Sequence, residues 1–160
     1  MSATLSPEVA SFLESGISVL VGTRDPRLVP EAMRAVGARV EAGGAELTVF
    51  LPAATAARTV ANLEDNGRIA VCFSRPIDHR SLQVKGRVLS IRYGDAADRA
   101  VIDRYLEALA GTWQEIGVPP TVVRRVTRWP AHAIRLCIEE VFVQTPGPGA
   151  GAPLAGEGVR

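Results

Sequence analysis

Aromatic residues are scarce, at 5% of the chain, and charge of either sign is almost cancelled: 18 Lys and Arg stand against 17 Asp and Glu, for a formal net charge of +1. A nucleic-acid surface needs a basic stripe, commonly with rings for stacking. The sequence has neither, so no nucleic-acid partner is expected. No apolar run approaches the ~20 residues of a membrane-spanning helix. The opening MSATLSPEVA lacks the charged start and apolar stretch of a signal peptide. A cytoplasmic location with no membrane partner is the resulting expectation. Two cysteines, Cys72 and Cys137, do not make a zinc site by themselves, and their apolar surroundings predict small buried side chains. There is no HExxH, CxxC or Walker sequence, and His79 and His132 have no serine and aspartate at a triad-like spacing. The glycines at 147, 149 and 151 resemble a phosphate loop only superficially, since no lysine and no helix follow them. Neither a metal site nor a catalytic residue is marked.

Core-forming residues, by contrast, are plentiful. Apolar residues are 47% of a 160-residue chain, enough for one domain to build a core without disulfides or metals. The expected organisation is a body over residues 1–145 and a tail over 146–160. Eight of the fifteen tail residues are proline or glycine, a composition that forms neither helix nor strand by itself.

Ser6-Pro7-Glu8 marks a helix start: serine caps, proline suits the first position, and glutamate suits the positive end. Alternating apolar residues predict six strands, over residues 17–23, 29–41, 46–51, 68–74, 81–93 and 131–144. In the fifth, Leu82, Val84, Gly86 and Val88 alternate with Ser81, Gln83, Lys85 and Arg87, and the pattern shifts near Val88-Leu89, the signal of a bulge or bend. A helix over 54–66 stops at Asn66-Gly67. Asp95 caps the longest helix, 96–116, whose apolar stripe includes Val101, Tyr105, Leu109 and Trp113. A short helix is expected near 121–127. Strands joined by short turns, with helices inserted irregularly, exclude a doubly wound sheet and predict a closed or split antiparallel barrel with peripheral helices.

Three arginines mark where a ligand would sit. Arg34 and Arg39 lie among the small residues Ala32, Ala35, Gly37 and Ala38, which would let a flat ligand approach the backbone. Arg58 lies in the first turns of the middle helix, whose N-terminus favours an anion. Two readings stay open from these residues alone: solvated surface arginines, or a phosphate site needing only two or three forked donors.

The stretch L-T-V-F-L-P-A-A-T-A-A-R-T-V-A-N-L-E-D-N-G-R-I-A-V-C-F-S (residues 47–74), followed by H-R-S-L-Q-V-K-G-R-V (residues 79–88), resembles the pyridoxamine 5'-phosphate oxidase-like proteins. The order of elements is similar over residues 5–145. The resemblance implies a fold that is mainly β with peripheral helices (α+β), a six-stranded antiparallel split β-barrel of Greek-key type. It also implies FMN as cofactor, a homodimer with flavin at the subunit interface, and oxidoreductase chemistry on a small-molecule substrate. By position, Arg34 and Arg39 match the family's basic flavin contacts, and Arg58 the arginine that holds the phosphate. Thr59 stands where true oxidases often carry lysine. Ser81, with Gln83, matches the polar strand position beside the flavin ring. The threonine, and a Pro/Gly-rich tail in place of the oxidases' C-terminal arginine and histidine motifs, point to a broader relative that reduces or holds a flavin. Other relatives take a deazaflavin or haem. A haem version would use His79, in a polar loop, as its axial ligand, while His132 packs at a strand start.

Overall fold

A computed structural model describes residues 3–154. The elements follow in the order α1 (Pro7–Leu13), β1 (Ser18–Arg24), β2 (Pro30–Arg34), β3 (Ala38–Val40), β4 (Glu46–Pro52), α2 (Ala57–Asn66), β5 (Arg68–Ser74), β6 (Ser81–Tyr93), α3 (Ala96–Glu115), α4 (Pro120–Arg124) and β7 (Ala131–Val143). The strands form one antiparallel sheet in the order β2-β1-β5-β6-β7-β4-β3, curled as the split barrel that the sequence predicts. No helix among the described residues is long and apolar enough to cross a membrane.

The second predicted strand, 29–41, is broken into β2 and β3, which raises the strand count from the expected six to seven. The break has a backbone cause. Gly37 holds φ at +141°, a conformation open to glycine and costly for other residues. Just before it the segment changes partner: the Ala35 N–H donates to Val19 O of β1 (3.0 Å), the Val36 N–H donates to Phe50 O of β4 (2.8 Å), and Gly37 O then accepts from the Phe50 N–H (3.0 Å). The bend therefore joins the two outer edges of the sheet.

Inside, Val19, Val21, Leu47, Val49, Val71, Phe73, Val84, Ile134 and Leu136 are fully buried; on β1 and β5 the alternate residues turn outward, whereas β4 is buried on both faces, with Thr48 and Phe50 covered as well. β6 carries two register shifts against β7, at Lys85/Gly86 and Val88/Ser90. The second is the shift legible in the sequence. The first lets the chains approach so closely that a Cβ on Gly86 would collide with the Cys137 carbonyl oxygen.

Helix α3 covers the bend. Asp95 caps it in a reciprocal box with Asp98. Asp98, 1% exposed, accepts from Arg39 Nη1 (2.9 Å) and Arg92 Nη1 (2.6 Å). One turn-pair further on, Tyr105 packs over Gly37 and its hydroxyl donates to Ile17 O (2.7 Å); burial pushes the pKa of that hydroxyl well up. Helix α2 closes one end of the barrel, with Asn66 Nδ2 donating to Arg24 O (2.9 Å) and Gly67 accepting from the Val88 N–H (2.8 Å).

Two expectations change. Cys72 and Cys137 are half-buried and face outward, Cys72 between Leu20 and Gln83, because each falls on the outward phase of its strand. The tail does make a β-bridge, with Pro153 against Phe142, because β7 supplies the template that the tail's own composition cannot. Residues 155–160 of the tail lie outside the described residues.

Burial raises the pKa of Asp98, but hydrogen bonds from Arg92, the Asp95 backbone and Arg39 outweigh it and hold the group below the ordinary carboxylate range. A lowered folded-state pKa stabilises fully above the unfolded value and is lost as pH falls through the folded value. Asp98→Asn is therefore expected to lower unfolding stability by on the order of 2 kcal/mol at neutral pH, below the cost for a fully buried pair because both arginines are partly exposed. In urea melts, the gap between wild type and variant should close as pH drops below about 4; a gap constant across that range would contradict the assignment.

Candidate functional site

The residues marked by the sequence occupy three places on the molecule. The first is the start of α2. After β4 the chain turns through residues 53–56, held by the Ala53 N–H to Pro130 O (2.8 Å) and the Thr55 N–H to Pro52 O (3.1 Å). The N-cap is Ala56, whose side chain accepts nothing. The first-turn amides, which the helix itself leaves unbonded, thus have no side-chain acceptor. Arg58 is exposed on this turn, and among the described residues no side chain hydrogen bonds or ion-pairs with it. Thr59 turns the other way. It is 1% exposed, and its hydroxyl donates to Glu31 Oε2 (3.2 Å). Asn62 donates to the same carboxylate oxygen (3.3 Å) and to Thr23 Oγ1 (3.0 Å). Thr59 therefore bolts α2 to β2 and can offer a ligand only its backbone N–H.

The second place is the outer face of the β2-β1-β5-β6 sheet. Arg34 Nη1 donates to Ser18 Oγ (2.9 Å), and its guanidinium lies 5.2 Å from the centre of the Trp113 ring. Ser18 is in register with Ser74, and Ser74 with Ser81. The Ser74 and Ser81 hydroxyls are 2.7 Å apart, and Ser81 also donates to His79 O (2.9 Å). One polar row thus runs from Arg34 to Ser81 across four strands. Gln83 lies two residues further along β6, half-buried, opposite Cys72 and Phe142. Beside it a shallow cleft of about 300 Å³ crosses the sheet over Gly22, Ala70, Lys85 and Glu140. A Cβ on Gly22 would meet only Ala70 O, at 3.9 Å, so that glycine is not needed for packing; it keeps the face flat. Leu20 on the same face is 42% exposed.

Arg39 is in the third place, on β3 beneath α3. Besides Asp98 it binds Glu41 Oε1 through Nε (3.2 Å) and Nη2 (3.1 Å). Burial would lower its pKa, but the hydrogen bonds it donates to Asp98 and Glu41, and their charge, raise it overall. Glu41 is correspondingly lowered, burial being outweighed by the Thr48 hydroxyl and Arg39. A cavity of about 120 Å³ beside them is lined by Arg39, Arg92 and Arg135. These guanidiniums already pair with Glu41, Asp98 and Glu46, so the cluster is charge-balanced.

The structure therefore joins Arg34 to Ser81 and places Gln83 beside them, with Arg58 and Thr59 at the barrel end and Arg39 in a separate network. His79 lies exposed in the β5–β6 turn with φ +60°. His132, the second residue of β7, stacks on Tyr93 with 4.6 Å between ring centres. Sequence reasoning missed Ser18, Ser74, Glu31 and Asn62. Their one signal was polarity on strand and helix positions, which becomes specific only once register is known.

The family described as pyridoxamine 5'-phosphate oxidase matches the chain over residues 5–141. No curated protein matches it. Among solved structures, HupZ of Group A Streptococcus is similar at a TM-score of 0.57 and 20% identity, over 92% of this chain and 100% of that one. An F420 reductase is similar at 0.55 and 17%, over 82% and 93%, and an FMN-binding protein of Syntrophomonas wolfei at 0.54 and 14%, over 83% and 81%. At such identities these likenesses show a shared fold alone. The family match, which spans most of the chain and includes the α2 turn, the polar row and both register shifts of β6, shows that this chain belongs to the pyridoxamine 5'-phosphate oxidase family.

Proposed function

We propose that the protein is an FMN-binding oxidoreductase that works as a homodimer on a small-molecule substrate. One observation carries this reading: in a member of this family, α2 opens without a side-chain cap beside an exposed arginine that has no partner among the described residues. Unbonded first-turn amides and a free guanidinium together fit a phosphate dianion. The outer sheet face fits a flat ring: it is open over Gly22 and Ala70, and Arg34 and Gln83 stand on the same face, each two residues along its strand from the residue opposite that floor. Bound FMN would supply the redox chemistry, and the protein's part would be binding, orientation and electrostatics. No acid–base pair of the chain's own is then required.

The exposed outer face supports a dimer. A phosphate held at the barrel end of one subunit and a ring held by the outer face of the other would use both halves. The exposed Leu20 and the cleft over Gly22 would meet the second copy.

Arg58 would hold the phosphate, Arg34 would stand at the ring's polar edge, and Ser81 would fix the β5–β6 corner through Ser74 so that Gln83 presents its amide. A visible absorption spectrum of the purified protein, before and after adding FMN, is the direct check. A flavin band that survives desalting is expected. A Soret band would transfer the case to haem, and a colourless protein that takes up no FMN would leave a deazaflavin or no ligand. Arg58→Ala is expected to weaken FMN binding roughly 10- to 100-fold, as loss of a charge-assisted contact of about 1.5–3 kcal/mol requires. Riboflavin, which lacks the phosphate, should bind the two proteins alike; equal loss for both ligands would place Arg58 away from the phosphate.

A further inference from the structure

β7 outruns β4 by six residues. β4 starts at Glu46, opposite Cys137, while β7 continues to Val143. Along this overhang the side facing β6 is fully paired, from Glu140 opposite Lys85 to Val143 opposite Leu82. The other side would be an open edge of N–H and C=O groups, the arrangement that recruits strands from other chains. It is closed from both ends of the chain. The Ala3 N–H donates to Ile138 O (2.8 Å). Further along, the tail folds back through a turn in which Gly147 and Gly151 take φ values of +147° and +86°, positions where glycine is favoured. The Gly151 N–H donates to Val143 O (2.7 Å), the Val143 N–H to Ala152 O (2.9 Å), and the Leu154 N–H to Val141 O (2.9 Å). Leu154 packs against the core.

Proline sits at a register position that tolerates it. Pro153 faces Phe142, and the bonds to β7 come from its two neighbours, so the pair is of the non-hydrogen-bonded kind. At such a position the residue's own N–H points away from the partner strand, toward any strand that would dock next. Proline has no N–H to offer there. The segment thus covers one edge without presenting a new one.

We propose that the open edge of β7 at residues 141–143 is a docking site for an extended strand, that the chain's own segment 151–154 occupies it, and that Pro153 terminates the sheet there. The bonds specify the occupant: a short segment with an N–H donor on each side of a proline and an aliphatic residue after it. This inference is independent of any cofactor.

Hydrogen exchange combined with light scattering tests it on three proteins: the full chain, a variant lacking residues 146–160, and full-length Pro153→Thr. Removing the tail should speed exchange at the Val143 amide at least about 10-fold while Val84 on β6 keeps its protection. The mass of that variant should grow with concentration beyond that of the full chain. A synthetic peptide of residues 146–154 should restore protection at Val143. Pro153→Thr should leave Val143 protected yet associate beyond the wild-type mass, since its outward N–H is now available. Unchanged Val143 exchange on deletion would overturn the docking, and a Pro153→Thr protein of wild-type mass at every concentration would overturn the terminating role. If the deletion variant does not fold, the full-length substitution still decides.

Discussion

Ala35 donates its amide to β1 and the next residue, Val36, donates its amide to β4, so the link between β2 and β3 stitches the two ends of the sheet together. An extended strand faces its two neighbours with alternate residues. The switch from β1 to β4 between Ala35 and Val36 follows that alternation, and Gly37 at φ +141° then turns the chain into β3. The rest of the molecule is arranged around it. Tyr105 of α3 lies over the glycine, 3.4 Å from where a Cβ would stand, and ties the helix to the start of β1 through Ile17. Asp98, at the other end of the helix, holds β3 through Arg39 and β6 through Arg92. The helix and the bend are thus fixed by the same two residues, and the inner face of the sheet is closed off as a core.

The same bend divides the arginines. Arg34, just before it, points along the outer face beside β1, and Arg39, just after it, points under α3. In the sequence the two look equivalent: a cation among small residues, five apart. Their roles separate only through contacts made 59 and 79 residues away, at Asp98 and Trp113. Periodicity carries no information about such pairs. What depends on local pattern was readable. The alternation of β6 and its second bulge, the Ser6 and Asp95 caps, the Gly67 stop and the apolar stripe of α3 all follow from spacing of two or of three and four. The break at Gly37 was not readable, because a glycine in a strand pattern signals a bulge, a bend or a close approach without saying which. Nor was the inward turn of Thr59. A helix position one residue from an exposed arginine reads as surface until the partner carboxylate, Glu31 on β2, is placed beside it.

Energetics then rank the three cations as ligands for an anion. Arg39 has both faces of its guanidinium in use, and drawing it toward a phosphate would leave Asp98, almost wholly buried, with Arg92 as its remaining cation. Stripping a partner from a buried carboxylate costs several kcal/mol, more than a partly exposed phosphate contact returns. Arg34 is held more lightly, by one neutral hydroxyl and a ring contact, each on the order of 1 kcal/mol or less at an exposed site. It can exchange them for a ligand at little net cost. Arg58 gives up nothing but water. Its turn is also where the first amides of α2 lack an acceptor, so the cation that is cheapest to recruit stands at the helix end most in need of a negative charge. An anion arriving at this barrel should therefore settle at α2 first, with Arg34 adjusting to whatever the anchored group carries.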